Sequence, residues 1–203
     1  MKILLIGGSG NIGRAIAAEL DGRHEIIAAG RQHGDVRVDI EDEASIIAMY
    51  QRLPELDAVA VATGGRNGHL APVAEMSAAR YRVGLESKLL GQVNVVLHGL
   101  NHVRDGGSFT LVGGVSDAQS IAPQFSNVYM ANAALDAFVT AAAVELPRGL
   151  RINLVAPQLL DESVEAYGAW FRGMPTTPAA SVARAYSLSI EGMQNGQVYR
   201  LGR

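Results

Sequence analysis

The sequence predicts a Rossmann-like doubly wound α/β fold: a parallel sheet of about seven strands with helices on both faces. Three observations predict it. Short apolar runs recur along the chain, and most are apolar at consecutive rather than alternate positions, as in strands buried on both faces. Longer amphipathic stretches alternate with them. The first run leads straight into a glycine-rich turn.

The expected strands are Ile3–Ile6, Glu25–Ala29, Val36–Val38, Ala58–Ala62, Ser108–Val112, Arg151–Val155 and Gln197–Leu201. Between them, Ile12–Leu20 sets Ile16 and Leu20 four residues apart, and Glu43–Leu53 gathers Ile46, Ile47 and Tyr50 on one face. A long helix is expected over Ala78–Leu100, another over Ala131–Leu146, and a late one over Ala179–Glu191. Pro147–Gly149 reads as a turn, so residues 1–203 are expected to form one domain. Gln158–Thr177 has weak periodicity and ends at Pro175 and Pro178. It follows a strand's carboxyl end, where open α/β sheets bind ligands, and is the candidate substrate lid.

Composition narrows the function. With 48% hydrophobic and 18% charged residues the chain is globular rather than disordered. A net charge of −3 argues against a nucleic-acid partner. The absence of cysteine excludes disulfides, thiolate metal sites and cysteine nucleophiles. No run reaches membrane-spanning length, and Ile3–Ile6 is too short for the apolar core of a signal peptide, so a cytoplasmic location is expected.

Gly7-Gly8-Ser9-Gly10-Asn11-Ile12-Gly13 fits G-x-x-G-x-x-G between the first strand and the first helix. Gly7 permits the tight turn, Gly10 lets backbone approach a pyrophosphate, and Gly13 lets the helix pack closely. The following helix N-terminus, Ser9 and the amides near Asn11 and Ile12 suit an anion. The bland alternative is a structural turn with no ligand. The second strand ends in Gly30-Arg31-Gln32-His33, with no carboxylate to accept from ribose hydroxyls. Arg31 could pair with the 2′-phosphate of NADP(H), the expected cofactor, or stand as a solvated surface residue. Asp39, beside Ile40, could accept from an adenine amine or cap the helix that follows.

These motifs resemble the short-chain dehydrogenase/reductase family over nearly the whole chain. The resemblance rests on the glycine turn, Val38-Asp39-Ile40, Ala62-Thr63-Gly64-Gly65, Lys88-Leu89-Leu90-Gly91, Gly107–Val112, Asn132-Ala133-Ala134-Leu135 and Arg151–Pro157. It implies the strand order 3-2-1-4-5-6-7. The glycine spacing is more like that of atypical or extended members. It also implies that Thr63 and Gly64 line the adenosine ribose and that Pro157 packs beside the nicotinamide. Leu159 and Leu160 would offer backbone groups to the carboxamide, although Gln158 replaces the family's usual glycine.

The family's catalytic Ser, Tyr, Lys and Asn do not carry over: Gly114, Val128, Asn132 and Lys88 stand at those positions. Lys88 and Asn132 look like an exchanged pair. Tyr129 lies one residue past the tyrosine position, which turns it by about 100°, so a packing or subunit contact is its alternative. Ser116 lies two past the serine position, with a loop cap as its alternative. Lys88 as electrostatic stabiliser and Ser116 or Tyr129 as proton donor are the candidates, with a solvated lysine as the counter-reading. His98 and His102 have metal-ligand spacing but no acidic companion between them, so no metal is expected.

The leading expectation is an NADP(H)-dependent oxidoreductase acting on a small carbonyl or alcohol substrate. A non-catalytic NADP(H)-binding sensor or regulatory protein is the alternative, and a structural subunit without nucleotide is a third. The resemblance implies a homodimer or homotetramer paired through the two long helices.

Overall fold

The computed structural model describes residues 1–64, 70–116 and 121–202. Gly65 and His69 lie outside them. Seven strands form one parallel sheet: β1 Lys2–Ile6, β2 Glu25–Gly30, β3 Val36–Arg37, β4 Leu56–Val61, β5 Val103–Val112, β6 Arg151–Pro157 and β7 Val198–Leu201. Their order is β3-β2-β1-β4-β5-β6-β7, the order the resemblance implies. The consecutive apolar runs have a direct cause. Leu4 and Ile6 of β1 enter one core with Val59 and Val61 of β4, while Ile3 and Leu5 enter the other with Ala58 and Ala60. Period-two alternation persists, but both sides are dry.

The first core is roofed by α2 (Glu43–Tyr50), α4 (Gly91–Gly99) and α5 (Ser126–Ala142). The second is roofed by α1 (Asn11–Leu20) and α7 (Ala179–Glu191), through Ile16, Leu20, Val182 and Tyr186. Each such fully buried aliphatic side chain contributes about 2 kcal/mol relative to exposure.

Two helices differ from expectation. The stretch expected as one helix over Ala78–Leu100 is α3 (Ala78–Gly84), a π-helical segment at Leu85–Leu90, and then α4. Gly91 presses against β3's exit, where a Cβ would lie 2.8 Å from the Ile40 carbonyl oxygen. The extra residue of a π-turn re-aims neighbouring side chains, and such turns concentrate at functional sites. Helix α5 begins at Ser126, five residues before the expected Ala131, and its last expected turn unwinds into Pro147–Leu150. Its N-cap residue is Phe125, which has no capping side chain, so the sequence carries no N-cap signal there.

His98 and His102 do not share a helix face, because α4 ends at Gly99. His98 contacts the Glu43 carboxylate at 2.8 Å, and His102 stacks on Tyr50 with ring centroids 5.0 Å apart. Among the described residues no cluster could hold a metal ion, and no helix is long and apolar enough to cross a membrane.

Candidate active site

The carboxyl ends of β1 and β2 open onto a cleft of about 250 Å³ lined by Ile6, Gly7, Ser9, Gly30–His33, Val38–Glu41 and Thr63. The sequence forces this shape. Gly7 has φ +89° and its Cβ would lie 2.9 Å from the Ala62 carbonyl carbon. At Gly13 a Cβ would lie 2.2 Å from the Gly7 carbonyl oxygen, so α1 can dock on the turn only because residue 13 lacks one. Gly10 is different: its Cβ would meet only the Gly7 oxygen, at 3.6 Å. As N-cap of α1, Gly10 offers no capping side chain, and no acidic residue stands in the first turn. The helix end is therefore ready for an anion. The residues present fit a dinucleotide diphosphate.

Other expected contacts separate here. Arg31 is exposed at the rim and, among the described residues, makes no hydrogen bond or ion pair. Asp39 lines the cleft, and its Oδ1 accepts from the Glu41 amide at 3.1 Å. It does not cap the next helix; Asp42 does, accepting from the Ala44 amide at 3.0 Å. Asn11 is turned to Arg14, whose guanidinium donates to its Oδ1 at 2.6 Å. Gly10, Asn11, Ile12 and Gly64 are not among the cleft's lining residues.

A second cavity, of about 270 Å³, opens at the carboxyl ends of β5 and β6. It brings together Lys88, Tyr129, Asn132 and Pro157 with Phe125, Val128, Tyr167 and Phe171. Lys88 is 9% exposed, and its Nζ donates to the Gly113 carbonyl at 3.3 Å. Burial lowers its pKa from 10.5 to about 8, because a dry surround disfavours the ammonium. No carboxylate lines the cavity among the described residues. Asn132 is 4% exposed, and its Oδ1 has no hydrogen-bond partner among the described residues. A Cβ at Gly114 would lie 2.7 Å from the Asn132 Nδ2, so the amide occupies the space that a side chain at 114 would need.

Two expected donors behave differently. The Tyr129 side chain does line the cavity, alongside Val128, and its hydroxyl oxygen accepts from the Ala122 amide at 2.8 Å. Ser116 is not among the lining residues. Its hydroxyl donates to Asp136 Oδ2 at 3.3 Å, toward α5.

Gln158–Thr177, expected as a lid, is folded in the structure. After β6 the chain makes a 3₁₀ turn at Asp161–Ser163 and a short helix α6 (Val164–Tyr167). Its base is pinned where the Thr177 amide donates to the Leu159 carbonyl at 2.9 Å and the Asp161 amide to the Thr177 carbonyl at 3.1 Å. Across the cavity mouth, Phe171 and Trp170 meet Phe125 edge-on, with centroids 5.3 and 6.1 Å apart.

One residue with no motif signal holds the site together. Gln92, fully buried on α4, accepts from the Val112 amide at 2.9 Å and donates to the Val112 carbonyl at 2.9 Å and the Lys88 carbonyl at 3.0 Å. Val112 lies beyond the reach of β4's pairing, and the glutamine side chain stands in for the missing strand. A polar residue four positions after Lys88 on an apolar helix was the available clue.

The family model described as Enoyl-(Acyl carrier protein) reductase matches residues 11–187, most of the chain. The chain belongs to the short-chain dehydrogenase/reductase family. Within that family it is 31% identical over 177 residues to the cis-4-hydroxycyclohexanecarboxylate dehydrogenase of Sinomonas cyclohexanicum, covering 80% of this chain and 67% of that protein. It is 43% identical to the protein lin1944 from Listeria innocua, with a TM-score of 0.94 and 99% of both chains covered. A small-chain dehydrogenase solved in complex with NADPH shares the fold at 24% identity, with a TM-score of 0.87 over 99% of this chain and 96% of that one. Short-chain dehydrogenases/reductases are oxidoreductases that use NAD(P)(H) and act on small molecules.

Proposed function

We propose that this chain is an NADP(H)-dependent oxidoreductase that interconverts a small carbonyl compound and its alcohol. One observation carries the reading: a glycine-turn cleft and a cavity lined by the buried Lys88 lie along the same carboxyl edge of the sheet. In this reading the turn at Gly7–Gly13 holds the diphosphate, with Ser9, Asn11 and Ile12 around it. Arg31 takes the 2′-phosphate as a charge-assisted pair. Asp39 and Ile40 border the adenine, Thr63 and Gly64 the ribose, and Pro157 the nicotinamide. The NADPH complex of a chain with this fold supports the choice of cofactor.

When bound, the reduced nicotinamide supplies a hydride. The chain's own part is to orient the substrate against it, exclude water and stabilise the oxyanion that develops. The Phe125, Tyr167 and Phe171 rings exclude water, and the Lys88 ammonium stabilises the oxyanion. Tyr129 and Asn132 complete the polar wall. Ser116 serves the α5 side of the loop rather than the reacting atoms.

Calorimetric titration tests the reading. NADPH should bind at least about 10-fold tighter than NADH, by the worth of one charge-assisted contact. With NADP(H), either cis-4-hydroxycyclohexanecarboxylate should be oxidised or cyclohexanone reduced. No heat with either dinucleotide refutes the reading.

A non-catalytic NADP(H)-binding role has its own support: Val128, Gly114 and Asn132 replace the family's catalytic Tyr, Ser and Lys. It predicts saturable NADPH binding without consumption across a broad carbonyl panel. The half-exposed Leu90, Leu97 and Met130 on and beside α4 and α5 support pairing of two copies, or four, through that face. Light scattering at working concentration should give a dimer or tetramer mass.

A further inference from the structure

The orthodox reaction draws its proton from a tyrosine that a nearby lysine keeps acidic, and neither residue type stands at those positions here. The cavity must find its proton elsewhere. Ser116 is turned away to Asp136, and the Tyr129 oxygen is directed at the Ala122 amide. Tyr129 is followed four residues on by Ala133, and the adjacent Asn132 is a neutral amide. What remains is Lys88. It lines the cavity, is nine-tenths buried, and has one long hydrogen bond to the Gly113 carbonyl.

We propose that Lys88 itself gives the proton to the substrate oxygen during reduction, and takes it back during oxidation. This rests on the dinucleotide reading above. The atoms balance. The carbonyl carbon accepts the hydride, the C=O π pair moves to oxygen, and an Nζ–H bond breaks as that oxygen takes the proton. The products are the alcohol, the oxidised dinucleotide and a neutral amine, which water reprotonates before the next turnover.

Burial makes the amine suitable. A lysine lowered to about 8 loses its proton readily near neutral pH, as a general acid must. The titratable groups that share the cavity with it, among the described residues, are Tyr129 on α5 and Tyr167 on α6. Glu86, on its own π-turn, is exposed and does not line the cavity. Gln92 acts one step back, as a positioning residue: it grips the Lys88 carbonyl and both polar groups of Val112, so the π-turn and the β5 end move as one.

The chain has two lysines, Lys2 and Lys88, which makes the test clean. Protein labelled with ¹³C-lysine should give two ε-carbon signals, of which Lys2, at the far end of the sheet, is the reference. In the NADPH complex the Lys88 signal should titrate with a midpoint near 8. A midpoint above about 10, the ordinary lysine range, overturns the proposal whatever the rates. With cyclohexanone and NADPH, wild-type kcat should fall as pH rises through about 8. Lys88→Met should lower kcat at least about 100-fold and abolish that limb. Tyr129→Phe should keep the limb at the same pH, whatever its rate. A limb that survives in Lys88→Met, or disappears in Tyr129→Phe, moves the proton to the tyrosine and sinks the proposal. Failure of NADPH to bind at all is a different result, since it strikes the cofactor reading first.

Discussion

A buried ammonium costs stability when no carboxylate pairs with it, as is the case for Lys88 among the described residues, and the cost can be sized. The drop from 10.5 to about 8 corresponds to roughly 3 kcal/mol, at about 1.4 kcal/mol for each factor of ten. The sign follows from linkage. Below pH 8 the amine is protonated in both folded and unfolded chains, and the folded form bears the whole penalty. Between pH 8 and 10.5 the unfolded chain holds more protons, so stability rises with pH across that window. Lys88→Met removes the charge and retains an apolar side chain of similar length. It leaves the Gly113 carbonyl without its 3.3 Å donor, a loss of about 1 kcal/mol. The variant should therefore be about 2 kcal/mol more stable than wild type at pH 7. That is an increase of roughly 4–8 °C in Tm for a chain of this size. The assay is urea denaturation of both proteins at pH 7 and pH 10. Differencing the two cancels every other group that titrates. The variant's advantage should disappear or reverse by pH 10, where less than about 1 kcal/mol of the lysine's penalty remains. A variant less stable at pH 7, or an advantage independent of pH, would mean that Lys88 is not held as an uncompensated buried charge.

Three further outcomes follow from the same geometry. Arg31→Asp should weaken NADPH binding by about 10- to 100-fold while NADH holds or improves, because one charge-assisted contact is lost and a repulsion gained; calorimetry with both dinucleotides checks it. Gly10→Ala and Gly13→Ala should separate cofactor from fold. The first has room for its methyl and should unfold with wild-type urea midpoint but bind NADPH weakly, whereas the second drives a Cβ onto the Gly7 oxygen and should lose about 3 kcal/mol or more of stability. Phe171→Ala should loosen the flap by removing its closest ring contact with Phe125, raising KM more than it lowers kcat in steady-state assays.

The fold could be read from the chain because the apolar runs obey a constraint with few solutions. A strand apolar on both faces must be roofed twice, and helices between successive strands provide the roofs. What could not be read was where cooperative packing overrode local pattern. Residues 78–100 have unbroken helical periodicity, yet the chain inserts a π-turn, because Gly91 approaches the Ile40 carbonyl and Gln92 reaches Val112. Both contacts lie about fifty or twenty residues away in sequence, where periodicity says nothing. Ser126–Met130 of α5 gives no start signal for the opposite reason: the N-cap position is Phe125, which cannot cap, after Gln124 at φ +72°.

The site divides along the same line. The glycine-turn cleft was legible because its geometry is local: three glycines and a helix start lie within a few residues. The reacting end was only half legible, because its chemistry is distributed. Lys88 and Asn132 stand on different helices, and only the resemblance implies that they are an exchanged pair. The structure adds the third partner. The Asn132 amide sits where a residue-114 side chain would project, so a glycine at 114 is a packing requirement of the amide at 132. Residues 114 and 132 are therefore coupled by packing. Restoring the family's serine alone, by Gly114→Ser, would force its side chain against the Asn132 Nδ2 and should destabilise the protein without restoring activity. Decay of a reaction leaves uncoordinated substitutions and tolerates voids. Here Asn132 and Gly114 fit one another, and among the described residues the one cation lining the cavity beside Pro157 is Lys88, gripped through its backbone by Gln92. That fit favours the proposed proton path through Lys88 over a silent site.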